Sequence, residues 1–155
     1  MRSLLLRGKV FVLVLLAIFA FGILSAQIVN SLCLRQLEDD TWINTDPNTR
    51  GITKIHLRFN CQDQVHNGVP YPPGSPWYAH LWGSCSPSDC DWGEVVATRL
   101  GTDHIYAFYD QGFAKRYVYA KMSIYRPDQL WVWIWTDFSD PNRADYGMHN
   151  WFRRE

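Results

Sequence analysis

The chain has 155 residues, with fifteen basic and fifteen acidic side chains, four cysteines, eight tryptophans and eight tyrosines. That length implies one domain by default. A balanced charge with no basic stripe supplies no long-range attraction for a polyphosphate, so nucleic acid is not an expected partner.

Residues 1–26 read as a signal peptide. Arg2, Arg7 and Lys9 precede an almost wholly apolar run at 10–24, and Ser25 and Ala26 follow it. A basic start, a short apolar run and a small-residue exit are the marks of export. The run is shorter than the roughly 20 residues a spanning helix needs, so no stable membrane span is expected after cleavage. Cleavage is expected after Ala26, or after Gly22 with Ala20 in the small-residue position. An uncleaved anchor is the alternative. Removing 1–26 takes three basic and no acidic residues, and leaves a mildly acidic chain. A lead-in at 27–40 and a single β domain at 41–155 then remain.

In an exported domain, Cys33, Cys61, Cys85 and Cys90 read as two disulfides. Four cysteines allow three pairings, between which sequence does not decide. Cys85–Cys90 and Cys33–Cys61 are favoured. The first closes a short loop, for roughly 2 kcal/mol, and the second a longer one, for roughly 3.6 kcal/mol, in the loop-entropy description.

No amphipathic helix of useful length is present; short β-rich runs alternate with turn signals. "TWIN" (41–44) is the first run. "DPNTRG" (46–51) is a turn, because Pro47 sets φ and Asp46 and Asn48 can bond back to the backbone. "ITKIHLRF" (52–59) has period two, with Thr53, Ile55, Leu57 and Phe59 on one face and Lys54, His56 and Arg58 on the other. "HNGVPYPPGSP" (66–76) is a proline-rich loop that cannot be a central strand. "WYAHLWGSC" (77–85), "DWGEVVATRL" (91–100), "HIYAFYD" (104–110), "KRYVYAKMSIY" (115–125), "QLWVWIWTDF" (129–138) and "YGMHNWFRR" (146–154) follow with short links. About eight strands in series with hairpin-length connections predict an all-β, antiparallel up-and-down meander, closed or partly closed as a small barrel. The alternative is a β-sandwich, with 66–76 as its crossover. "DPNTR" (46–50) and "DPNR" (140–143) read as one turn chemistry used twice.

"CSPSDCDWG" (85–93) invites a chemical reading. A zinc site needs two spaced ligand pairs, and no second pair exists. A redox pair would be C-x-x-C at a helix start. The neighbouring acids Asp89, Asp91 and Glu94 lack the loop pattern of a calcium site. The remaining reading is a stapled turn in which Asp89 and Asp91 accept backbone N–H bonds. The five histidines show no metal-ligand spacing, and no nucleophile motif is present. No catalytic residue, metal or cofactor is expected, and the chain reads as a non-enzymatic protein.

"WVWIW" (131–135) puts Trp131, Trp133 and Trp135 on one strand face and Val132 and Ile134 on the other. On the preceding strand, Val118, Ala120, Met122 and Ile124 share one face, and Tyr117, Tyr119, Lys121 and Tyr125 the other. If Arg126 pairs with Gln129, the tryptophans join Met122 and Ile124 inside. If the pairing shifts by one, they join the tyrosines outside, because an odd slip inverts every side chain. Inside, they would fill the barrel or line a pocket. Outside, they would form an aromatic surface suited to carbohydrate, a partner protein or a membrane. Trp131, Trp133 and Trp135, with Trp82, are the candidate ligand-binding residues, for a small molecule or carbohydrate. The expected protein is a secreted or periplasmic binding module. A structural or protein-interaction module with an aromatic outer face is the second reading, and a hydrolase or redox enzyme a distant third.

Two motifs carry a resemblance. The first lies on Trp42, Asn44, Asp46, Pro47, Thr49, Gly51, Ile52 and Thr53, and the second on Trp82, Gly83, Cys85, Pro87, Asp89, Cys90, Asp91, Trp92 and Gly93. The chain resembles a group of uncharacterised exported bacterial proteins that share W-x-N-x-D-P-x-T-x-G-I-T and W-G-x-C-x-P-x-D-C-D-W-G, and that group implies no activity. In architecture, a "T-W-x-N" first strand followed by a meander is similar to avidin-like and lipocalin-like barrels, an analogy of fold alone.

Overall fold

Residues 33–155 are described by a computed structural model; the segment expected to be a signal peptide, 1–26, and the start of the expected lead-in lie outside the described residues. Every predicted run forms a strand: β1 (Asp40–Asn44), β2 (Ile52–Phe59), β5 (Trp77–Gly83), β6 (Cys90–Leu100), β7 (His104–Asp110), β8 (Ala114–Met122), β9 (Gln129–Phe138) and β10 (Tyr146–Arg154). They close in the order β1-β10-β9-β8-β7-β6-β5-β2, with every neighbouring pair antiparallel. This is the up-and-down barrel; the sandwich is excluded, because no strand crosses between sheets. Among the described residues no helix is long and apolar enough to cross a membrane.

The extra pair, β3 (Gln64–His66) and β4 (Val69–Tyr71), corrects the reading of 66–76 as plain loop. Asn67 and Gly68 both take positive φ, 51° and 79°. That is the two-residue turn whose twist matches a hairpin, and Asn-Gly is its strongest sequence signal. The hairpin is exposed and Pro70 sits in it, which is tolerated because a two-stranded ribbon is all edge.

Period two decides the interior. Fully buried Trp42, Trp77 and Phe152 pack with Ile52, Ile55, Leu57, Leu81, Ile105, Leu130, Val132 and Ile134. Ala79, Ala97, Ala107 and Ala120 leave room for the large rings. Side chains thus fill the barrel. Thr53 departs from its expected face: the β2–β5 register shifts between Ile52 and Lys54, so Ile52 goes in. The Thr53 hydroxyl instead donates to the Asp89 carboxylate at 2.6 Å and lies 3.2 Å from the Trp82 carbonyl.

The "TWIN" residues close the ring. The Trp42 indole donates to the Glu38 carbonyl at 3.0 Å, and the buried Asn44 amide donates to the Ile52 carbonyl at 2.6 Å. Across the β1–β10 seam, Arg154 binds Asp40 and stacks 4.6 Å above Trp42. Both favoured disulfides are present, Cys33–Cys61 and Cys85–Cys90, with Cα–Cα separations of 5.8 and 5.4 Å.

One end of the barrel, here called the mouth, gathers the loops 45–51, 84–89, 111–113 and 139–145. Ser84 N–H donates to Gly51 O at 2.8 Å, and Ser139 N–H to Phe113 O at 3.0 Å. The two "DPN" turns both lie here and use the same bond: Asp46 accepts from Asn48 N–H, and Asp140 from Asn142 N–H, each at 2.9 Å. In the stapled turn, Asp91 accepts the Gly93 N–H at 2.7 Å as expected, whereas Asp89 takes the Thr53 hydroxyl instead of a backbone N–H.

Carboxylates tie the outer surface, and their protonation sets an acid limit. Burial would raise the Asp40 carboxyl, but the Thr41 N–H, Arg154 and Arg35 together hold it below its ordinary 3.8. The hydrogen bond from Arg58 is the largest influence on Glu94 and holds it below 4.5, against a smaller opposing effect of burial. Each group binds protons less readily folded than unfolded. Its contribution is therefore complete above the ordinary carboxylate range and is lost as pH falls through the depressed folded values. The urea midpoint should stay level from pH 7 to about 5 and fall below about pH 4.5. Glu94→Gln should flatten part of that fall.

Candidate functional site

The direction of "WVWIW" follows from the β8–β9 hairpin. Met122 pairs with Leu130, Lys121 with Trp131, Tyr119 with Trp133 and Tyr117 with Trp135. Ser123 N–H bonds Gln129 O, so 124–128 is the loop, and Ile124 and Tyr125 lie in it at 83% and 88% exposed. Relative to an Arg126–Gln129 pairing the register has slipped by three, an odd number. The tryptophans therefore join the tyrosines outside, and Ile124 leaves the inner face.

The result is an aromatic face in three rows across β7–β10. One row runs Phe108, Tyr117, Trp135, Gly147; the next Tyr106, Tyr119, Trp133, His149; the third Lys121, Trp131, Trp151. Ring centroids lie 5.3 Å apart for Phe108–Tyr117, 5.1 Å for Tyr106–Tyr119 and 5.4 Å for Tyr119–Trp133. Trp133 and Trp135 stack at 6.5 Å and 26°. Gly147 makes this possible: a Cβ there would sit 3.3 Å from Trp133 Nε1 and 3.4 Å from Trp135 Cε3. Both indoles lean into the space that the glycine leaves.

The rings keep exposed surface, with Phe108 and Trp135 at 38% and Trp151 at 41%. Their polar edges are indole N–H and phenol O–H groups. Burial, then the neighbouring phenols of Tyr119 and Tyr117, push the Tyr106 phenol up, so it stays a neutral donor. The outward positions of these four strands hold no aliphatic residue. Between the rings and the rim stand only His104, Asp110, Lys115, Gln129, Asp137 and Arg153.

Trp82 is not part of this face. It lies outward on β5, four strands from β9 in either direction round the barrel. Its ring is already engaged: Lys54 Nζ sits 4.1 Å from its centroid, and His80 stacks at 4.0 Å and 7°. His80 in turn meets Asp91 at 2.5 Å. The Gly93 N–H first, and His80 second, hold the Asp91 carboxyl below its ordinary range. Trp82 thus belongs to a surface network that ties β2, β5 and β6.

The sequence offers the three tryptophans and, in its shifted register, their neighbours Tyr117, Tyr119 and Lys121, but not Tyr106, Phe108, His149 or Trp151. Tyr106, Phe108, His149 and Trp151 each alternate on their own strand. Only the register shows that they are neighbours. Family models, curated proteins and solved structures were compared with the chain, and none matches.

Proposed function

We propose that this is an exported, non-enzymatic carbohydrate-binding barrel that takes its ligand on the aromatic face of β7–β10. The observation that carries the proposal is the composition of that face, where every large apolar side chain is a ring and none is aliphatic. A pyranose presents C–H groups of positive partial charge on one side, which suit the negative face of an aromatic ring, and its hydroxyls suit the N–H and O–H edges. A protein interface core adds aliphatic and methionine contacts to its aromatic anchors. A lipid-facing barrel carries an apolar band all round, whereas here β2 and β5 put Lys54, His56, Arg58 and His80 outward.

Two disulfides fit an oxidising compartment, and the motif resemblance points the same way. The filled interior favours an outer surface over an internal ligand. Affinity electrophoresis through gels containing soluble polysaccharides, namely β-glucan, xylan, mannan and dextran, tests the reading. At least one should retard the protein, and Trp133→Ala should abolish the shift. Retardation that survives loss of the rings would overturn the assignment of this face. Retardation by none of them, together with ring-dependent self-association, would favour a protein-interaction module.

A further inference from the structure

The mouth of the barrel is a separate feature, built by a bulge. His80 pairs with Glu94 and Trp82 with Asp91, so Trp92 and Gly93 of β6 face only Leu81 of β5. Gly93 takes φ +79°, the left-handed region that glycine adopts without strain. The extra residue sends Asp91 outward to His80 and turns Trp92 against the core. Gly83 leaves the ring its place: a Cβ there would lie 2.7 Å from Trp92 Nε1. Gly83→Ala should therefore displace the indole and lower stability by about 1–3 kcal/mol, readable as a lower denaturant midpoint.

Arg116, at an inward position of β8, lies over this ring with its guanidinium carbon 4.5 Å from the centroid. Its Nε donates to Gln111 Oε1 at 2.7 Å, and its Nη1 to the buried Thr136 hydroxyl at 3.3 Å. A guanidinium has five N–H donors; three of these find no protein acceptor among the described residues. The side chain borders an open cavity of about 300 Å³, lined also by Arg50, Asp91, Trp92, Phe113 and Tyr146.

The other arginines that stack on rings from strands set the contrast. Arg58 lies over Tyr78 and binds Glu94; Arg99 lies over Trp77 and pairs with buried Glu38 at 3.1 Å; Arg154 lies over Trp42 and binds Asp40. Arg116 has neutral partners only, and no ion pair forms to it among the described residues. The carboxylate in the cavity wall, Asp91, is taken by His80 and the Gly93 N–H. A half-buried cation, held in one orientation by neutral acceptors and open to a cavity, is a preorganised anion receptor.

We propose that the mouth binds a small carboxylic acid, with its carboxylate on the Arg116 guanidinium and its body against Phe113 and Tyr146. The planar fork of arginine matches a carboxylate with two parallel bonds. Phe113 and Tyr146 are exposed rings at the rim, and Arg50 adds a second positive charge there. The cavity volume lies at the low end for small-molecule sites, roughly 300–1,000 Å³, so the ligand is small.

The test uses the folded, oxidised protein and nuclear magnetic resonance of the Arg116 Nε–H and Trp92 Nε1–H signals. Sodium benzoate, benzamide and inorganic phosphate are titrated at constant ionic strength. Benzoate should shift both signals saturably at millimolar concentration, and the uncharged isostere benzamide should not. Arg116→Gln should weaken benzoate at least tenfold on the Trp92 signal, with the Trp131, Trp133 and Trp135 signals unmoved as a check of the fold. Phe113→Ala, at an exposed rim position, should weaken it severalfold. Equal response to benzamide, or no saturable shift, would overturn the proposal. Tighter saturation by phosphate would replace the carboxylate by a phosphate ligand and overturn it as stated. Because the aromatic face is read by separate signals, either site can fail without the other.

Discussion

Trp42→Ala should destabilise the barrel by about 3–5 kcal/mol, the range for removing a large buried ring. Trp42 is fully buried, and its indole N–H serves the Glu38 carbonyl at the far end of the barrel. The substitution removes the ring, leaves a cavity and strands that carbonyl. Its position adds to the effect. β1 has five residues and is the strand that closes the ring, with Arg154 of β10 stacked on Trp42 across the seam. Loosening β1 would expose the edges of β2 and β10, which are templates for intermolecular pairing. Since a domain of this size is stable by roughly 5–15 kcal/mol, a large part of the total is at stake. Urea unfolding monitored by circular dichroism measures it. Trp42→Phe, which restores bulk but not the N–H, should fall between wild type and alanine. A loss under about 1 kcal/mol for the alanine variant would contradict a packed interior.

Replacing Trp131, Trp133 and Trp135 together by alanine should reduce polysaccharide binding by more than tenfold, or over about 1.4 kcal/mol, while the barrel still folds. The inner face of β9 is carried by Leu130, Val132, Ile134 and Thr136, all buried and all retained. What folding loses is cross-strand contact with Tyr117, Tyr119 and His149, at about 0.2–1 kcal/mol per pair. Trp135→Ala, at the most exposed of the three, should be the mildest structurally, so it separates binding from stability. Gly147→Val reaches the same face by addition. Its side chain would press on both indoles, tilt them from their stacked arrangement and weaken binding with the rings still present. Binding unchanged in both variants would move the ligand elsewhere.

Particular residues show how much of this was legible in the chain. The strands could be read because each side has a consistent period of two: Ile55 and Leu57 inward against His56 and Arg58 is an unambiguous pattern. The barrel could be read because the links between strands are too short for crossovers. The Asn-Gly hairpin could have been read from its dipeptide, but the surrounding prolines outweighed it. "WVWIW" was ambiguous for a definite reason. Both of its faces are apolar, so burial preference alone does not choose between them. The choice fell to the 124–128 loop, whose length sets an odd slip against the simple hairpin.

"CSPSDCDWG" reads as a stapled turn and the Cys85–Cys90 disulfide closes it, but its spatial neighbours are not visible in the chain. Residues 50, 92, 113 with 116, and 146 belong to four different hairpins and meet because the four connections share one end of a closed ring. The sequence by itself determined the all-β class of fold and, on most strands, which residues could face a core, since local period and turn chemistry act over short stretches; it left the pairing of the four cysteines open, and the fold closed it as Cys33–Cys61 and Cys85–Cys90. The tertiary structure alone decided that the tryptophans face out, that Trp82 stands apart from them, and that Arg116 meets Trp92 without a carboxylate. Register and closure are collective properties of eight paired strands, fixed by the buried inner face as a whole and not by any one segment.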